Sequence, residues 1–309
     1  MGRRRRRGHP IHGWLNIDKP VAMSSAACVD AVRRATEANK LGQAGTLDPL
    51  ASGVLPIALG EATKTMPYFA DAQKQYRFTV IWGESRTTDD AEGEVTATSD
   101  VRPDAAAVAA VLDEFVGEIE QVPPAYSAIK VGGKRAYALA RAGLPVELAA
   151  RTVRVDALSI IDAPDAGSIV LSVACGKGTY MRALARDLAH RLGTCAYLAD
   201  LRRTAVGSFT EEASILLEKL EQVGHIAAAR DFLLPIDAAL DGIPALALSE
   251  RDALKLRSGQ AVAMLRTEDR ERIAAIGKDG IVLARDASQP IALARVDGMQ
   301  IRPVRVLNL

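Results

Sequence analysis

The stretch from Gly42 to Gly60, which reads GQAGTLDPLASGVLPIALG, constrains the fold more than any other part of the sequence. Its first half combines glycines with an Asp-Pro step at Asp48, and such steps start turns. Its second half, from Val54 to Leu59, is apolar and predicts a buried strand or a short buried segment. Asp48 is also the only acid between Lys40 and Gly60. The sequence therefore predicts a carboxylate held by a stiff loop at the edge of a core, although a turn-forming Asp that bonds its own backbone has the same local pattern.

The composition is that of a globular protein. A chain of 309 residues with 49% hydrophobic and 25% charged residues can bury one large core, or a large core and a small one. No apolar run reaches the roughly 20 residues that a membrane-spanning helix needs, and the basic start MGRRRRRGHP lacks the apolar stretch of a secretion signal. The three cysteines are odd in number and far apart, which favours free thiols over a disulfide framework or a zinc knuckle. We therefore expect a protein of the reducing cytoplasm.

The net charge is only +1, but the basic residues are clustered. The basic groups are Arg3–Arg7; Lys130, Lys134 and Arg135; and Arg202 and Arg203. Any affinity for nucleic acid must therefore come from how the charge is distributed and not from the total charge. Residues 1–10 predict a flexible basic arm, which either stays solvated or contacts RNA phosphates.

The hydrophobic patterns predict an α+β fold. Polar and apolar residues alternate from Tyr76 to Trp82, which predicts a strand, and residues 151–161 and 168–174 are interpreted in the same way. One helix is predicted after a cap at Ser24 or Ser25, and another over residues 179–192. Because strands come in runs without regular βαβ alternation, we expect a large mixed, mostly antiparallel sheet flanked by helices.

The composition shifts near residue 243, after which the sequence predicts one amphipathic helix and several short strands. We therefore predict three parts. They are a basic arm at residues 1–10, a large domain at residues 11–240, and a small strand-rich C-terminal domain at residues 241–309.

Asp48 is the candidate nucleophile, because a carboxylate can form a covalent ester with a sugar or a base and leave again. Burial alone favours the protonated form of a carboxyl group, so a carboxylate in a pocket needs a cationic partner. Arg182 is the best candidate, since a guanidinium holds a carboxylate with two charge-assisted bonds. Arg182 lies in the first turn of the predicted helix, where the helix dipole disfavours a cation. An arginine placed there despite this cost indicates a functional role, although an arginine that reaches solvent also fits this position.

Patterns typical of metal and cofactor sites are missing from the sequence. No pair of His or Cys has metal-ligand spacing, and no glycine fingerprint for a dinucleotide opens a βαβ unit. The run CGKGT from Cys175 is similar to a phosphate loop, but that motif requires Ser or Thr directly after the lysine, where Gly178 stands. We therefore expect chemistry without a metal or a cofactor.

Seven blocks of sequence follow one another in a specific order. They are LNIDKP from Leu15, GTLDPLASGVLP from Gly45, GEATK from Gly60, KQYR from Lys74, PPAYSAIK from Pro123, GKGTYMR from Gly176 and LRR from Leu201. Together they resemble the motifs of the bacterial TruB family of tRNA pseudouridine synthases, which isomerise uridine 55 in the T loop of tRNA. The resemblance implies the pseudouridine synthase fold, a PUA-like C-terminal domain, and tRNA as the partner, bound through the T arm. We expect a monomer, although the sequence itself leaves the oligomeric state open.

The same resemblance implies roles for individual residues. Asp48 is the nucleophile, Arg182 faces it, and Tyr76 stacks on a flipped base with its hydroxyl near the carbon that loses a proton. From the residues alone, Tyr76 fits as well on the core face of a strand. The implied substrate-binding residues are Lys19, Gln43, Lys64, Tyr76, Tyr180 and Leu201. For the two lysines among them, a solvated surface charge is the alternative.

Gln43 departs from the family pattern, which usually has histidine at this position of the catalytic loop. Glutamine still donates and accepts hydrogen bonds, but it cannot carry a charge or stack as an imidazole does. We therefore expect a different RNA contact at Gln43, while the nucleophile Asp48 is unaffected.

Two other functions remain open at this point. One is an RNA-binding or RNA-folding protein that binds tRNA without modifying it, for which the carboxylate of Asp48 is dispensable. The other is a carboxylate-based glycosidase or nucleosidase, which requires a second acid close to Asp48. The loop contains no second acid, but one from a distant segment could fold back to it.

Overall fold

The structure is a computed structural model that describes residues 8–223, 230–287 and 289–309. The arginines at positions 3–7 of the predicted basic arm lie outside the described residues. The strands are, in chain order, β1 Gly13–Lys19, β2 Leu41–Gln43, β3 Ser52–Leu59, β4 Lys74–Trp82, β5 Glu84–Arg86, β6 Val95–Thr98, β7 Gly117–Gln121, β8 Lys130–Val131, β9 Lys134–Arg135, β10 Arg151–Asp165, β11 Ser168–Cys175, β12 Ala196–Val206, β13 Phe209–Thr210, β14 Ile215–Leu216, β15 Ala245–Leu248, β16 Val262–Ala263, β17 Ile281–Asp286, β18 Gln289–Asp297 and β19 Gln300–Val306. The α-helices of the described residues are α1 Ser25–Thr36, α2 Met66–Phe69, α3 Ala105–Ala109, α4 Ala136–Arg141, α5 Met181–Arg191, α6 Leu217–Val223, α7 Glu250–Arg257 and α8 Thr267–Ile276.

Ten strands form one mixed sheet in the order β14-β1-β3-β12-β4-β11-β10-β7, with β2 paired to β3 and β13 paired to β12. The β1–β14 and β3–β12 pairs are parallel, and the other pairs in this sheet are antiparallel. Two separate ribbons, β5–β6 and β8–β9, extend from it. The predicted α+β fold with a mixed, mostly antiparallel sheet is confirmed.

Alternation along the strands gives the main sheet two faces. On one face Leu15, Leu55 and Phe78 are fully buried and pack with the apolar stripes of α1 and α5. Ser24 caps α1 as predicted, because its hydroxyl accepts a hydrogen bond from the backbone N–H of Ala27. Helix α5 begins at Met181, two residues later than predicted, because the backbone of Tyr180 at the N-cap is still extended. The Thr179 hydroxyl donates to the Gly176 carbonyl.

The opposite face of β1 and β3 carries a second, aromatic core. The rings of Trp14, Phe69 and Phe209 lie with their centroids 5.3–5.5 Å apart, in tilted and edge-to-face pairs. Leu307, which follows the last strand, is buried in the same cluster. The end of the chain is therefore packed into the body formed by the main sheet.

The C-terminal strands form a five-stranded sheet in the order β15-β17-β18-β19-β16, with a hydrophobic core of its own. Ser249 caps α7 by accepting from the backbone N–H of Asp252. Helix α8 was not predicted, because Ile273 is its one buried residue and the pattern is therefore weak. The strand-rich C-terminal architecture is confirmed, whereas the boundary at residue 240 stays a prediction.

Among the described residues, no helix combines the length and the apolar character needed to cross a lipid bilayer.

Candidate active site

Asp48 lies on the loop between β2 and β3, and the loop is fixed immediately before it. The Ser25 hydroxyl donates to the Leu47 carbonyl and accepts from the Leu47 N–H, both at 2.8 Å. The Asp48 carbonyl accepts from the N–H of Ala51 at 3.1 Å, which closes a turn. From Gly53 onward β3 is completely buried. The predicted stiff loop at the edge of a core is therefore present.

Arg182 forms an ion pair with Asp48. Its Nη2 lies 2.8 Å from Oδ2 of Asp48. The Arg182 side chain is only 4% exposed, whereas the Asp48 side chain is 38% exposed. The interpretation of Arg182 as a surface arginine is therefore wrong, and a buried guanidinium holds a carboxylate that solvent or a ligand can still reach.

Further acceptors explain how a cation is tolerated in the first turn of α5. Nη1 of Arg182 donates to the Thr88 carbonyl at 3.0 Å and Nη2 donates to the Tyr126 carbonyl at 2.9 Å. A second carboxylate, that of Asp90, lies 3.5 Å from Nη1. These charge-assisted contacts exceed the dipole penalty, which is worth only about 0.3–1 kcal/mol.

Asp90 is a residue that sequence reasoning missed. Its side chain is 3% exposed, and it accepts hydrogen bonds from the Thr88 hydroxyl and the N–H of Glu92. It approaches the guanidinium nitrogen that Asp48 does not use. The acidic run from Asp89 to Glu94 was visible in the sequence, but nothing in it indicated a partner on α5.

The neighbouring Asp89 is held by α5 in the same way. Its carboxylate lies 3.1 Å from Nη1 of Arg186, one turn after Arg182. Burial raises the pKa of Asp89, and the Arg186 guanidinium opposes that rise. Two arginines of one helix therefore fix the loop between β5 and β6 beside Asp48.

Two tyrosines lie within electrostatic reach of Asp48. Burial raises the pKa of Tyr76, on β4, and the Asp48 carboxylate adds to the rise. Burial and then Asp48 also raise the pKa of Tyr180, directly before α5. The Gln121 side chain fixes Tyr180 by accepting from its N–H at 2.8 Å and donating to its carbonyl at 3.2 Å. The charge of Asp48 therefore acts on two tyrosines that come from two different segments.

Lys19 is fully buried, so a solvated charge is the wrong interpretation for it. Its Nζ donates to the carbonyls of Pro20 and Met23 at 2.8 and 2.7 Å. Burial lowers the pKa of Lys19 to about 8, and the negative charge of Asp48 is among the effects that oppose this. Lys19 therefore fixes the turn after β1 and places a cation near the Asp48 loop.

The other predicted substrate-binding residues are placed differently. Gln43 ends β2 and donates to the Thr46 hydroxyl at 3.1 Å, so it lies at the start of the loop that carries Asp48. Leu201 is buried in the main core, paired with Phe78 of β4. The role of each in binding substrate stays a prediction.

Lys64 contacts the C-terminal part of the chain. Its Nζ lies 2.5 Å from Glu61 and donates to the Val306 carbonyl at 2.6 Å. Glu61 in turn accepts from the N–H of Asn308 at 2.8 Å. The solvated charge is again the wrong interpretation, since Lys64 and Glu61 together tie the end of β19 and the segment after it to the main body.

Arg203 is a second residue that sequence reasoning missed as part of the site. It is 1% exposed, and its Nε donates to the Val54 carbonyl at 2.7 Å. The signal that could have found it is its place between the buried Leu201 and Ala205 on an alternating strand, where an inward side chain is expected. The sequence showed only a pair of basic residues.

The arrangement is suited to nucleophilic chemistry by a carboxylate. Asp48 is partly accessible and is oriented by a buried arginine, and a carboxylate held in this way can serve as a nucleophile. Within residues 8–223, 230–287 and 289–309, no cluster of three or more His, Cys, Asp or Glu side chains has the arrangement of a metal site.

Comparison with known proteins identifies the family. Residues 33–181 match the TruB family pseudouridylate synthase (N terminal domain), and residues 182–241 match the tRNA pseudouridylate synthase B C-terminal domain. The tRNA pseudouridine synthase B of Caulobacter vibrioides is 50% identical over 307 residues, which are 99% of each protein. That of Rhodospirillum rubrum is 51% identical over 308 residues, again 99% of each.

Solved structures share the fold. The archaeal box H/ACA sRNP Nop10–Cbf5 complex matches with a TM-score of 0.71 at 23% identity, over 97% of this chain and 87% of that chain. The H/ACA RNP bound to a substrate RNA containing 2′-deoxyuridine matches with a TM-score of 0.72 at 20% identity, over 100% and 92%. At these identities the likeness establishes the fold alone. The matched domains and the half-identical full-length relatives show that this chain belongs to the TruB family of pseudouridylate synthases.

Proposed function

We propose that this chain is a tRNA pseudouridine synthase that isomerises uridine 55 in the T loop, with Asp48 as its nucleophile. The observation that carries the proposal is the 2.8 Å ion pair between the accessible Asp48 and the buried Arg182. A carboxylate fixed from the protein side can add to a nucleoside that enters from solvent. The tRNA pseudouridine synthases B that are half-identical over the full length support the same reaction.

In this reaction the Asp48 carboxylate bonds to the nucleotide, either at C1′ of the ribose or at C6 of the ring. The bond between C1′ and N1 breaks, the uracil turns within the pocket, and its C5 bonds to C1′. An ester at C1′ is displaced as C5 bonds there, whereas an ester at C6 leaves after C5 has bonded. The hydrogen on C5 then departs as a proton, and N1 gains a proton. The product therefore has the same atoms and mass as the substrate, and no oxidant or reductant is needed.

Tyr76 assists the loss of the C5 proton. Because burial raises the pKa of its phenol, the hydroxyl is neutral near pH 7 and is not itself a strong base. A neutral hydroxyl can accept one proton while it donates its own. Tyr76 therefore acts as a relay and as a surface on which the uracil ring stacks.

The tRNA is the proposed partner, bound through its T arm by shape and phosphate contacts. The target uridine leaves its stack at a cost on the order of a few kcal/mol, and Tyr76, Tyr180 and Leu201 line the pocket that receives it. Gln43 contacts the RNA where other family members have histidine. The C-terminal sheet, tied to the main body through Lys64, extends the RNA-binding surface of an enzyme that acts as a monomer in the cytoplasm.

The test uses an unmodified tRNA transcript with tritium on C5 of its uridines. We expect one tritium released per tRNA, with the converted uridine in the T loop and no change in RNA mass beyond the isotope. Asp48→Asn abolishes the release, because an amide is not a nucleophile of this kind. Asp241→Asn, a change of an exposed acid, is the matched control and leaves the release unchanged. Tight tRNA binding without release would instead indicate an RNA-folding protein.

Asp90 is the one observation that favours a hydrolase, because it is the second acid that such an enzyme requires. Its carboxylate is buried and engaged by Thr88 and Glu92, however, so it is poorly placed to activate a water molecule on the substrate. Free uracil and an abasic tRNA in the same assay would favour the hydrolase over the synthase.

A further inference from the structure

Arg203 is a buried cation that the proposed reaction steps do not use. Its Nε donates to the Val54 carbonyl at 2.7 Å, and its Nη2 lies 3.5 Å from the Gly45 carbonyl. These two carbonyls flank Asp48 along the chain, one near the start of its loop and one in β3 just after the loop ends. A single guanidinium therefore contacts both ends of that loop, from a position that is only 1% exposed.

Two glycines make this close approach possible. Gly45 has φ +85°, and a Cβ there would lie 3.2 Å from Nη1 of Arg203. Gly53 has φ +97°, and a Cβ there would lie 2.2 Å from the backbone oxygen of Arg203, because Gly53 and Arg203 are neighbours in the parallel β3–β12 pair. The loop thus closes onto Arg203 at both of its ends, and only glycine fits these places without strain.

Arg203 is also the neighbour of Tyr76. The two residues are partners in the antiparallel β4–β12 pair. The positive charge of Arg203 opposes the burial that raises the pKa of the Tyr76 phenol. One side chain is therefore shared between the segment that carries the nucleophile and the strand that carries the tyrosine.

We propose that Arg203 is a positioning residue that holds the Asp48 loop and Tyr76 in one fixed geometry for the isomerisation. It acts through the loop carbonyls and the tyrosine, and it does not touch the nucleotide. The inference rests on the proposed function. A misplacement of about 1 Å between reacting groups can cost about 100-fold in rate, so the loss of Arg203 affects the chemical step and leaves tRNA binding intact.

The test compares Arg203→Lys with Arg202→Lys, since both keep the charge and lose the planar fork. Arg202 points to the other side of β12, where it pairs with Asp18 and Glu211. We expect Arg203→Lys to lower the single-turnover rate at saturating tRNA by about 100-fold with an unchanged dissociation constant. For Arg202→Lys we expect a change of less than about threefold. Arg203→Ala should regain part of its rate when guanidinium is added at a concentration that does not unfold the protein.

The possible outcomes separate clearly. A wild-type protein that releases no tritium refutes the proposed function, whatever Arg203 does. A wild-type rate retained in Arg203→Lys and in folded Arg203→Ala refutes the positioning role alone. Equal losses in Arg203→Lys and Arg202→Lys, or a loss that appears only in the dissociation constant, refute it as well.

Gly45→Ala gives an independent test that keeps Arg203 itself. Gly259 has nearly the same backbone, φ +86°, with open space around it, so Gly259→Ala measures the backbone strain alone. We expect Gly45→Ala to lower the single-turnover rate more in the wild-type background than in the Arg203→Ala background, because only in the former must the guanidinium shift to make room for the new Cβ. Equal effects in both backgrounds would contradict the proposed contact.

Discussion

Replacing Lys19 by methionine should change how the stability of the protein depends on pH. Burial lowers the pKa of Lys19 to about 8 in the folded state, against an ordinary value of 10.5. Between these values the unfolded chain binds a proton that the folded protein has released. The free energy of unfolding therefore rises with pH across this window. Below the window the folded protein bears the full cost of a buried charged lysine.

The size of the effect follows from the two pKa values. The complete cost of charging Lys19 in the folded state is about 3 kcal/mol, at about 1.4 kcal/mol for each pH unit between them. Between about pH 7.5 and about pH 9.5, the wild type should gain about 2 kcal/mol relative to Lys19→Met. Lys74 is also buried and its pKa is also lowered, but it is present in both proteins and cancels in the difference.

Urea unfolding at the two pH values measures this difference directly. Lys40→Met serves as the control, because Lys40 is exposed and its replacement should shift both stabilities equally. A stability difference between wild type and Lys19→Met that is the same at both pH values would refute the conclusion that burial destabilises the charged form of Lys19. A wild type that becomes more stable relative to Lys19→Met as pH falls would require Lys19 to be stabilised when charged, which contradicts the burial as well.

Two further changes test the site and the packing. Arg182→Lys keeps the charge, but a lysine cannot contact both Asp48 and the Thr88 carbonyl as a planar guanidinium does. We therefore expect a single-turnover rate about 100-fold lower, with tRNA affinity retained. An unaltered rate would argue against a role of the ion pair in the reaction. Leu307→Ala empties part of the aromatic core, and we expect a loss of about 2–5 kcal/mol in urea unfolding. The control Asn308→Ala keeps the backbone bond to Glu61, and an equal loss there would argue against burial as the cause.

The local parts of the fold and site could be predicted from the sequence. Alternation from Tyr76 to Trp82 predicted β4, and the run from Val54 to Leu59 predicted the buried strand β3, because each pattern depends on neighbours within one element. Asp48 was identified by its isolation as an acid in a loop rich in glycine. Its pairing with Arg182 rested on electrostatic need together with the family motifs.

The long-range contacts could not be predicted in this way. Asp90 reaches Arg182 across more than ninety positions of sequence, and Arg203 reaches Gly45 across an even longer separation. No local pattern encodes which strand another strand will pair with in a sheet. The contact between Arg203 and Gly45 depends on such a pairing, that of β3 with β12. The burial of Lys19 and Lys64 could not be predicted either, because a single lysine leaves no sequence pattern that distinguishes a buried ammonium from a solvated one.

The contacts of Arg182 fit the change of charge that the proposed reaction requires. When Asp48 forms an ester, its negative charge disappears and an arginine paired with it alone would become an uncompensated buried cation, which is costly. Arg182 also has the Asp90 carboxylate at 3.5 Å and the carbonyls of Thr88 and Tyr126 within 3.0 Å. These partners do not take part in the bond changes, so the guanidinium stays fixed while Asp48 adds and leaves. The same contacts explain why Asp90 is buried: it serves the arginine and not the substrate, and a second acid near Asp48 therefore agrees with an isomerase as well as with a hydrolase.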